Sequence, residues 1–103
     1  MQITDVKVGD EDSPVAERGD TVVVSYVGKL EDGTQFDAAK TFDFVLGAGD
    51  VIKGWDQGIL NMKVGGKRKL FVPSKLGYGK KGSSPDIPPN ATLYFTVKLK
   101  EIR

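Results

Sequence analysis

The reactive side chains of this 103-residue chain are few, because it has neither cysteine nor histidine. Disulfides, thiolate zinc sites and thiol nucleophiles are excluded, and so are the commonest general base and the commonest transition-metal ligand. What remains is one tryptophan, three tyrosines and five phenylalanines, with carboxylates available as acceptors. The tryptophan stands in Val51-Ile52-Lys53-Gly54-Trp55, just before a short helical pattern of Asp56, Gln57, Gly58, Ile59 and Leu60. A lone tryptophan in a small domain reads first as core filler. Two features add a second reading, a pocket floor. Gly47, Gly49 and Gly54 let backbone approach closely, and Tyr26, Phe36, Phe42, Phe44, Phe71, Tyr78, Tyr94 and Phe95 are many rings for one core. Ligand sites are concave and apolar with a few placed polar groups, and Asp37 and Tyr78 are candidates for those groups. The chemistry open to such a site is binding and desolvation rather than acid-base transfer through histidine.

Strands must position these rings. Residues 2 to 8 read as an opening strand, followed by a polar turn region from Gly9 to Gly19. Thr21 to Leu30 opens with the β-branched run Thr21-Val22-Val23-Val24, which favours a strand. Alternation puts Val22, Val24 and Tyr26 on one face and Val23, Ser25 and Val27 on the other. Glu31-Asp32-Gly33-Thr34 is a hairpin turn, with the chain returning through Gln35, Phe36 and Asp37. Thr41 to Leu46 reads as a second short alternating piece that ends at Gly47-Ala48-Gly49. The helix after Trp55 is about two turns at most, since Gly58 weakens it and Gly65-Gly66 stops it; Ile59, Leu60 and Met62 supply its apolar face. Lys67 to Val72 is a strand closed by Pro73. Ser74 to Asn90 is a long loop rich in Gly and Pro, a kind that is usually functional. Thr92 to Ile102 alternates, with Leu93, Phe95, Val97 and Leu99 inward. Most links are too short for parallel crossovers. The expected fold is α+β, an antiparallel sheet of five or so strands curled around one short α-helix, in a single domain over residues 1–103.

Hydrophobic residues at 39% and charged residues at 28% are ordinary globular values, so disorder is not indicated. No apolar run is long enough for a transmembrane span, and no charged-then-apolar leader opens the chain. The net charge of +1 hides an asymmetry. Residues 1 to 56 hold five Lys/Arg against twelve Asp/Glu, and residues 57 to 103 hold ten against two. The simplest expectation is that the halves interleave in one sheet and pair their charges across strands; the alternative is a basic face for an acidic partner. The run Lys67-Arg68-Lys69, with Lys80 and Lys81, reads as a solvated edge. Nucleic-acid binding would need more clustered charge than that, so no nucleic-acid partner is expected.

Several spaced motifs together resemble a known family. Val-Ile-Lys-Gly-Trp-Asp-Gln-Gly (51 to 58), Met-Lys-Val-Gly-Gly-Lys-Arg (62 to 68), Gly-Tyr-Gly (77 to 79) and Ile-Pro-Pro-Asn-Ala-Thr-Leu (87 to 93) are similar to the FKBP-type peptidyl-prolyl isomerases. Tyr-Val-Gly-Lys-Leu-Glu-Asp-Gly (26 to 33) and Phe36-Asp37 fall in the same order, so the resemblance covers essentially the whole chain. It implies a pocket between helix and sheet that accelerates rotation about X-Pro bonds, without metal or cofactor. Trp55 would be the floor, and Tyr26, Phe36, Phe42 and Phe95 the walls. Val51 and Ile52 would form the rim, with the Ile52 amide donating to a ligand carbonyl, and Ile87 would close one side. Asp37 and the Tyr78 hydroxyl would be the polar groups, and Phe44 would be core. The catalytic set is then Tyr26, Phe36, Asp37, Trp55, Tyr78 and Phe95, and Phe42, Val51, Ile52 and Ile87 bind substrate.

The implied partners are proline-containing peptides and proteins and the macrolides tacrolimus and rapamycin. The expected protein is a monomer away from membranes, cytoplasmic, or nuclear if it is one domain of a longer protein. The alternative is a non-catalytic module of the same fold that docks proline-containing segments. The sequence departs from the family pattern at two places. Only Ala38-Ala39-Lys40-Thr41 separates Asp37 from Phe42, where many members carry a longer loop. Ser83-Ser84-Pro85-Asp86 replaces a histidine and an apolar residue, and the acid at Asp86 predicts weaker macrolide affinity.

Overall fold

The computed structural model describes all residues from Met1 to Arg103. Five strands form one antiparallel sheet: β1 (Gln2–Lys7), β2 (Thr21–Leu30), β3 (Gln35–Val45), β4 (Lys67–Val72) and β5 (Leu93–Ile102). Their order is β1-β4-β5-β2-β3, so the last strand lies at the centre and the first and third form the edges. One helix, α1 (Lys53–Gly58), packs on the inner face, and a 3-10 turn follows β4 at Ser74–Leu76. The long alternating strands put one apolar row inward: Leu93, Phe95, Val97 and Leu99 on β5 are all buried. They meet Val24, Tyr26 and Leu30 across β2 and Leu70 and Val72 across β4.

The hairpin between β2 and β3 closes where Gly33 adopts a positive φ of 89° and the Thr34 amide donates to Asp32 Oδ1 at 2.9 Å. That bond to the exposed Asp32 holds its carboxyl below the usual carboxylate range. Beyond the turn, the two short pieces expected from the sequence are one eleven-residue strand. Its register slips opposite Ser25, where Val24 pairs with Phe42 and Tyr26 with Ala39. This bulge absorbs Lys40 and Thr41, and Lys100 Nζ donates to the Lys40 carbonyl at 3.1 Å and to Thr41 Oγ1 at 3.2 Å. The short Ala38-to-Thr41 link is therefore strand rather than loop.

The helix also differs from expectation. It begins at Lys53 and ends at Gly58, so Trp55 lies inside it, while Ile59 and Met62 are buried from the turn that follows. Two glycines one turn apart make this possible. A Cβ on Gly54 would sit 2.6 Å from Val72 Cγ1, and one on Gly58 would sit 2.9 Å from both Leu70 methyls. Positions i and i+4 share a helix face, so the bare side of α1 lies flat on β4.

Arg68 fixes the other end of the helix. Its Nη1 donates to the carbonyls of Gly58 at 2.8 Å and Leu60 at 2.7 Å, and its Nε pairs with Asp5 Oδ1 at 2.6 Å. The C-terminal carbonyls of a helix lack intrahelical donors, and a cation there also meets the negative end of the helix dipole. The basic run is thus no solvated edge: β4 is an interior strand, and the Arg68 side chain is only 13% exposed. Cross-strand charge pairing between the two halves is limited to Asp5 with Arg68 and Asp43 with Arg103. Val23 points away from the helix yet is buried, on the outer side of the sheet opposite Asp43 and Glu101.

Candidate active site

Trp55 is the hub of an aromatic cluster. The helix holds the indole against the sheet, where it meets Tyr26 at a centroid distance of 4.7 Å, Phe95 at 5.3 Å, Phe44 at 5.7 Å and Phe42 at 6.1 Å. Tyr26, Phe95 and Phe42 meet it nearly edge-on, an arrangement that aromatic quadrupoles favour. Phe36 extends the wall, edge-on to Phe95 at 5.6 Å. Gly28 makes room for that pair, since a Cβ there would lie 2.7 Å from Phe36 Cζ and 2.8 Å from Phe95 Cε1. A glycine inside a strand often marks close approach by another group, so the signal was present in the sequence.

The cluster encloses a cavity of about 160 Å³, lined by Tyr26, Phe36, Asp37, Phe42, Asp50, Val51, Ile52, Trp55, Tyr78 and Phe95. An apolar cavity of about 150 Å³ accepts one benzene ring, so this one has room for a single small ring. All but one of the residues singled out in the sequence border it. Ile87 does not: it is buried in the core beneath the β4–β5 connection, held by paired backbone bonds between Ser83 and Ile87 of 2.8 and 2.7 Å. Phe44 is likewise core, stacked on Phe42 at 5.8 Å. Asp50 borders the cavity without having been singled out, and its Oδ2 accepts from the Val45 amide at 3.1 Å.

The rim is set by a second carboxylate that the sequence reading passed over. Asp56 accepts from the amides of Gly47 at 2.8 Å and Gly49 at 3.2 Å, which ties the turn before Val51 and Ile52 to the helix. The Ile52 carbonyl accepts from the Trp55 and Asp56 amides, while the Ile52 N–H has no acceptor within the protein. Trp55 Nε1 is also buried without an acceptor, and nothing in the structure explains it.

The polar side of the cavity is a tyrosine held by an acid. The Tyr26 hydroxyl donates to Asp37 Oδ2 at 2.7 Å, and the Ala38 amide donates to Asp37 Oδ1 at 2.8 Å. Burial, reinforced by the bond to Asp37, pushes the Tyr26 phenol far above its ordinary range. Tyr78, half-exposed at the mouth, is raised by burial and by the negative charge of Asp37. Both phenols therefore stay protonated at neutral pH and can donate. The site contains no nucleophile paired with a base and no cluster of His, Cys, Asp or Glu suited to a metal.

A family model described as FKBP-type peptidyl-prolyl cis-trans isomerase matches residues 13–100. The chain belongs to that family. It is 52% identical over 102 residues to peptidyl-prolyl cis-trans isomerase FKBP2 of Mus musculus, covering 94% of this chain and 73% of that protein. It is 51% identical over 104 residues to FK506-binding protein 4 of Rhizopus delemar, covering 98% of this chain but 27% of that protein. The chain thus spans about a quarter of the fungal relative's length. Among solved structures, AtFKBP13 superposes with a TM-score of 0.89 at 39% identity, covering 98% of this chain and 91% of the other. The fold is therefore the FKBP fold, an antiparallel sheet with a single short helix, and no helix is long and apolar enough to cross a membrane.

Proposed function

We propose that this FKBP domain catalyses cis-trans isomerisation of X-Pro bonds in peptides and proteins, with the proline ring seated over Trp55. One observation carries the reading: a ring-sized aromatic cavity with donors at its edge and no histidine, cysteine or lysine in its lining. No covalent bond breaks in this reaction. Its barrier of about 18–20 kcal/mol comes from amide resonance, which separates charge between oxygen and nitrogen. Water stabilises that separation, so an apolar wall favours the twisted amide over both planar forms. Such differential binding is sufficient for catalysis, and each 1.4 kcal/mol of it gives about a tenfold rate increase.

The roles follow from position. Trp55 forms the floor, Tyr26, Phe36, Phe42 and Phe95 exclude water, and Val51 and Ile52 form the rim. The free Ile52 N–H donates to a substrate carbonyl, and the Tyr78 hydroxyl to a second acceptor at the mouth. Asp37 positions Tyr26 rather than acting on the substrate, since both its oxygens are engaged by protein donors. Tacrolimus and rapamycin are proposed to occupy the same cavity. With Ile87 in the core and Asp86 exposed beside it, the β4–β5 connection offers them little apolar rim, in line with weak binding. A monomer is proposed as the working unit and is tested by size-exclusion chromatography with light scattering. Cytoplasmic residence rests on the sequence reading alone and is tested by imaging the tagged gene product.

The test is an isomerisation assay on a short X-Pro peptide, with and without rapamycin. Acceleration that rapamycin suppresses supports the reading. Peptide binding without acceleration would make the domain a docking module instead.

A further inference from the structure

Lysines from every strand gather on the outer face of the sheet, away from the cavity. The strand registers place Lys7 opposite Lys67, and Lys67 opposite Lys98. Lys98 faces Ser25, and Lys40 on β3 borders the same concavity of about 620 Å³ as Lys67 and Lys98. Adjacent strands lie only about 4.8 Å apart. Like charges directly opposite on neighbouring strands repel, so this row destabilises the free protein. None of the four lysines takes part in an ion pair. The two acids on this face, Asp43 and Glu101, lie at its far end, and Arg103 engages both, at 3.7 and 3.5 Å.

Further along the same face the chemistry changes from charge to rings. Lys69 stands opposite Thr4 on one side and Thr96 on the other. One step beyond, Phe71 stands opposite Tyr94, the two rings edge-on at 5.0 Å, with Lys29 next to Tyr94 on β2. Phe71 is 36% exposed, on the side of the sheet where no helix covers it. A second concavity of about 590 Å³ runs over this part.

We infer that the outer face of the sheet binds single-stranded nucleic acid, with the Lys7–Lys67–Lys98–Lys40 row on phosphates and the Phe71–Tyr94 pair stacking a base. A cationic groove beside exposed rings is the general design for holding unpaired strands, because every base has a π-face. The neutral donors between them, Thr4 and Thr96, suit sugar and base edges. An acidic polypeptide would use the lysines but has no need of the rings. The basic run looked too sparse for this in the sequence, since Lys7, Lys40 and Lys98 join it only through strand order.

The test is fluorescence anisotropy of the full chain with a labelled 15-nucleotide mixed-sequence strand, as RNA and as DNA, over a salt series. The expected result is saturable binding whose logarithm falls linearly with that of salt, with a slope of about −2 to −3 for three or four phosphates. Lys67→Glu/Lys98→Glu weakens it at least about tenfold, and Phe71→Ala weakens it about tenfold, as loss of one stacked base does. Prolyl isomerisation stays unchanged in both variants, which also shows that they fold. Lys67→Gln/Lys98→Gln, by relieving the repulsion, raises the melting temperature of the free protein. Absence of binding at low salt overturns the inference, as does binding that survives the charge reversal. So does equal affinity for duplex or polyglutamate with no effect of Phe71→Ala, which marks a general polyanion surface.

Discussion

Asp37 and Tyr26 form the only hydrogen bond between two side chains of the cavity wall, and their coupling decides what the acid does. If Asp37 positions the phenol, removing either partner abolishes the same contact. Asp37→Ala and Tyr26→Phe should then each lower kcat/KM by about tenfold to a hundredfold, the range of one hydrogen bond to a charged group. The double variant should be no worse than the weaker single one, a strongly non-additive cycle. Additive losses would give Asp37 a separate electrostatic role on the substrate. The protonation behaviour of the site points the same way. The chain has no histidine or cysteine, and Tyr26 and Tyr78 titrate above free tyrosine. A plot of kcat/KM against pH should therefore be flat between about pH 6 and 9, the range below the ordinary tyrosine value. For stability the sign is definite. A phenol whose folded pKa is raised contributes stability that is fully present below the unfolded value of 10.0 and is lost as pH rises toward the folded value. Unfolding monitored by denaturant should show this domain weakening only above about pH 10.

The helix holds the indole in place, and it is anchored by packing at Gly54 and Gly58 and by hydrogen bonds from Arg68. Arg68→Leu keeps some of the packing but leaves two carbonyls and Asp5 without their donor. We expect a loss of about 2–3 kcal/mol, the range for hydrogen bonds to charged groups, measured by urea unfolding. At Gly54, alanine improves helix propensity by about 1 kcal/mol. Its Cβ, however, would press on the fully buried, stiff Val72, where overpacking costs about 1–3 kcal/mol. The net sign expected for Gly54→Ala is destabilising, with a rise in KM as Trp55 shifts outward. These contacts explain what was legible in the sequence. Strong period-2 alternation made β2, β4 and β5 readable, because burial of one face is a local pattern. The bulge that makes β3 continuous was not readable, because Ala38 to Lys40 carry no turn or strand signal and a lysine from β5 stabilises the bulge. Arg68 could be placed on the inner face by alternation with Leu70 and Val72. Its acceptors on the helix end depend on tertiary packing alone.

At the scale of the whole molecule, one sheet separates two chemically opposed surfaces. The inner face carries the cavity and its aromatic walls; the outer face carries lysines drawn from all five strands and the Phe71–Tyr94 pair. Nearly all of the cavity residues were legible because the family motifs are contiguous strings around them. Ile87 lies in the core rather than at the cavity, because the connection that carries its motif turns it inward through its own backbone bonds. The lysine face was illegible because it assembles from separate stretches of chain, and only the order β1-β4-β5-β2-β3 brings them together. The central claim is that a dry aromatic cavity, without proton transfer, accelerates rotation about X-Pro bonds. Its most direct test is NMR exchange spectroscopy of a short X-Pro peptide with catalytic protein, in H2O and in D2O. The account predicts faster cis-trans exchange that is nearly equal in the two solvents and that stops when rapamycin fills the cavity. No acceleration, or a rate lower by about twofold or more in D2O, as general acid-base transfer would give, would contradict it.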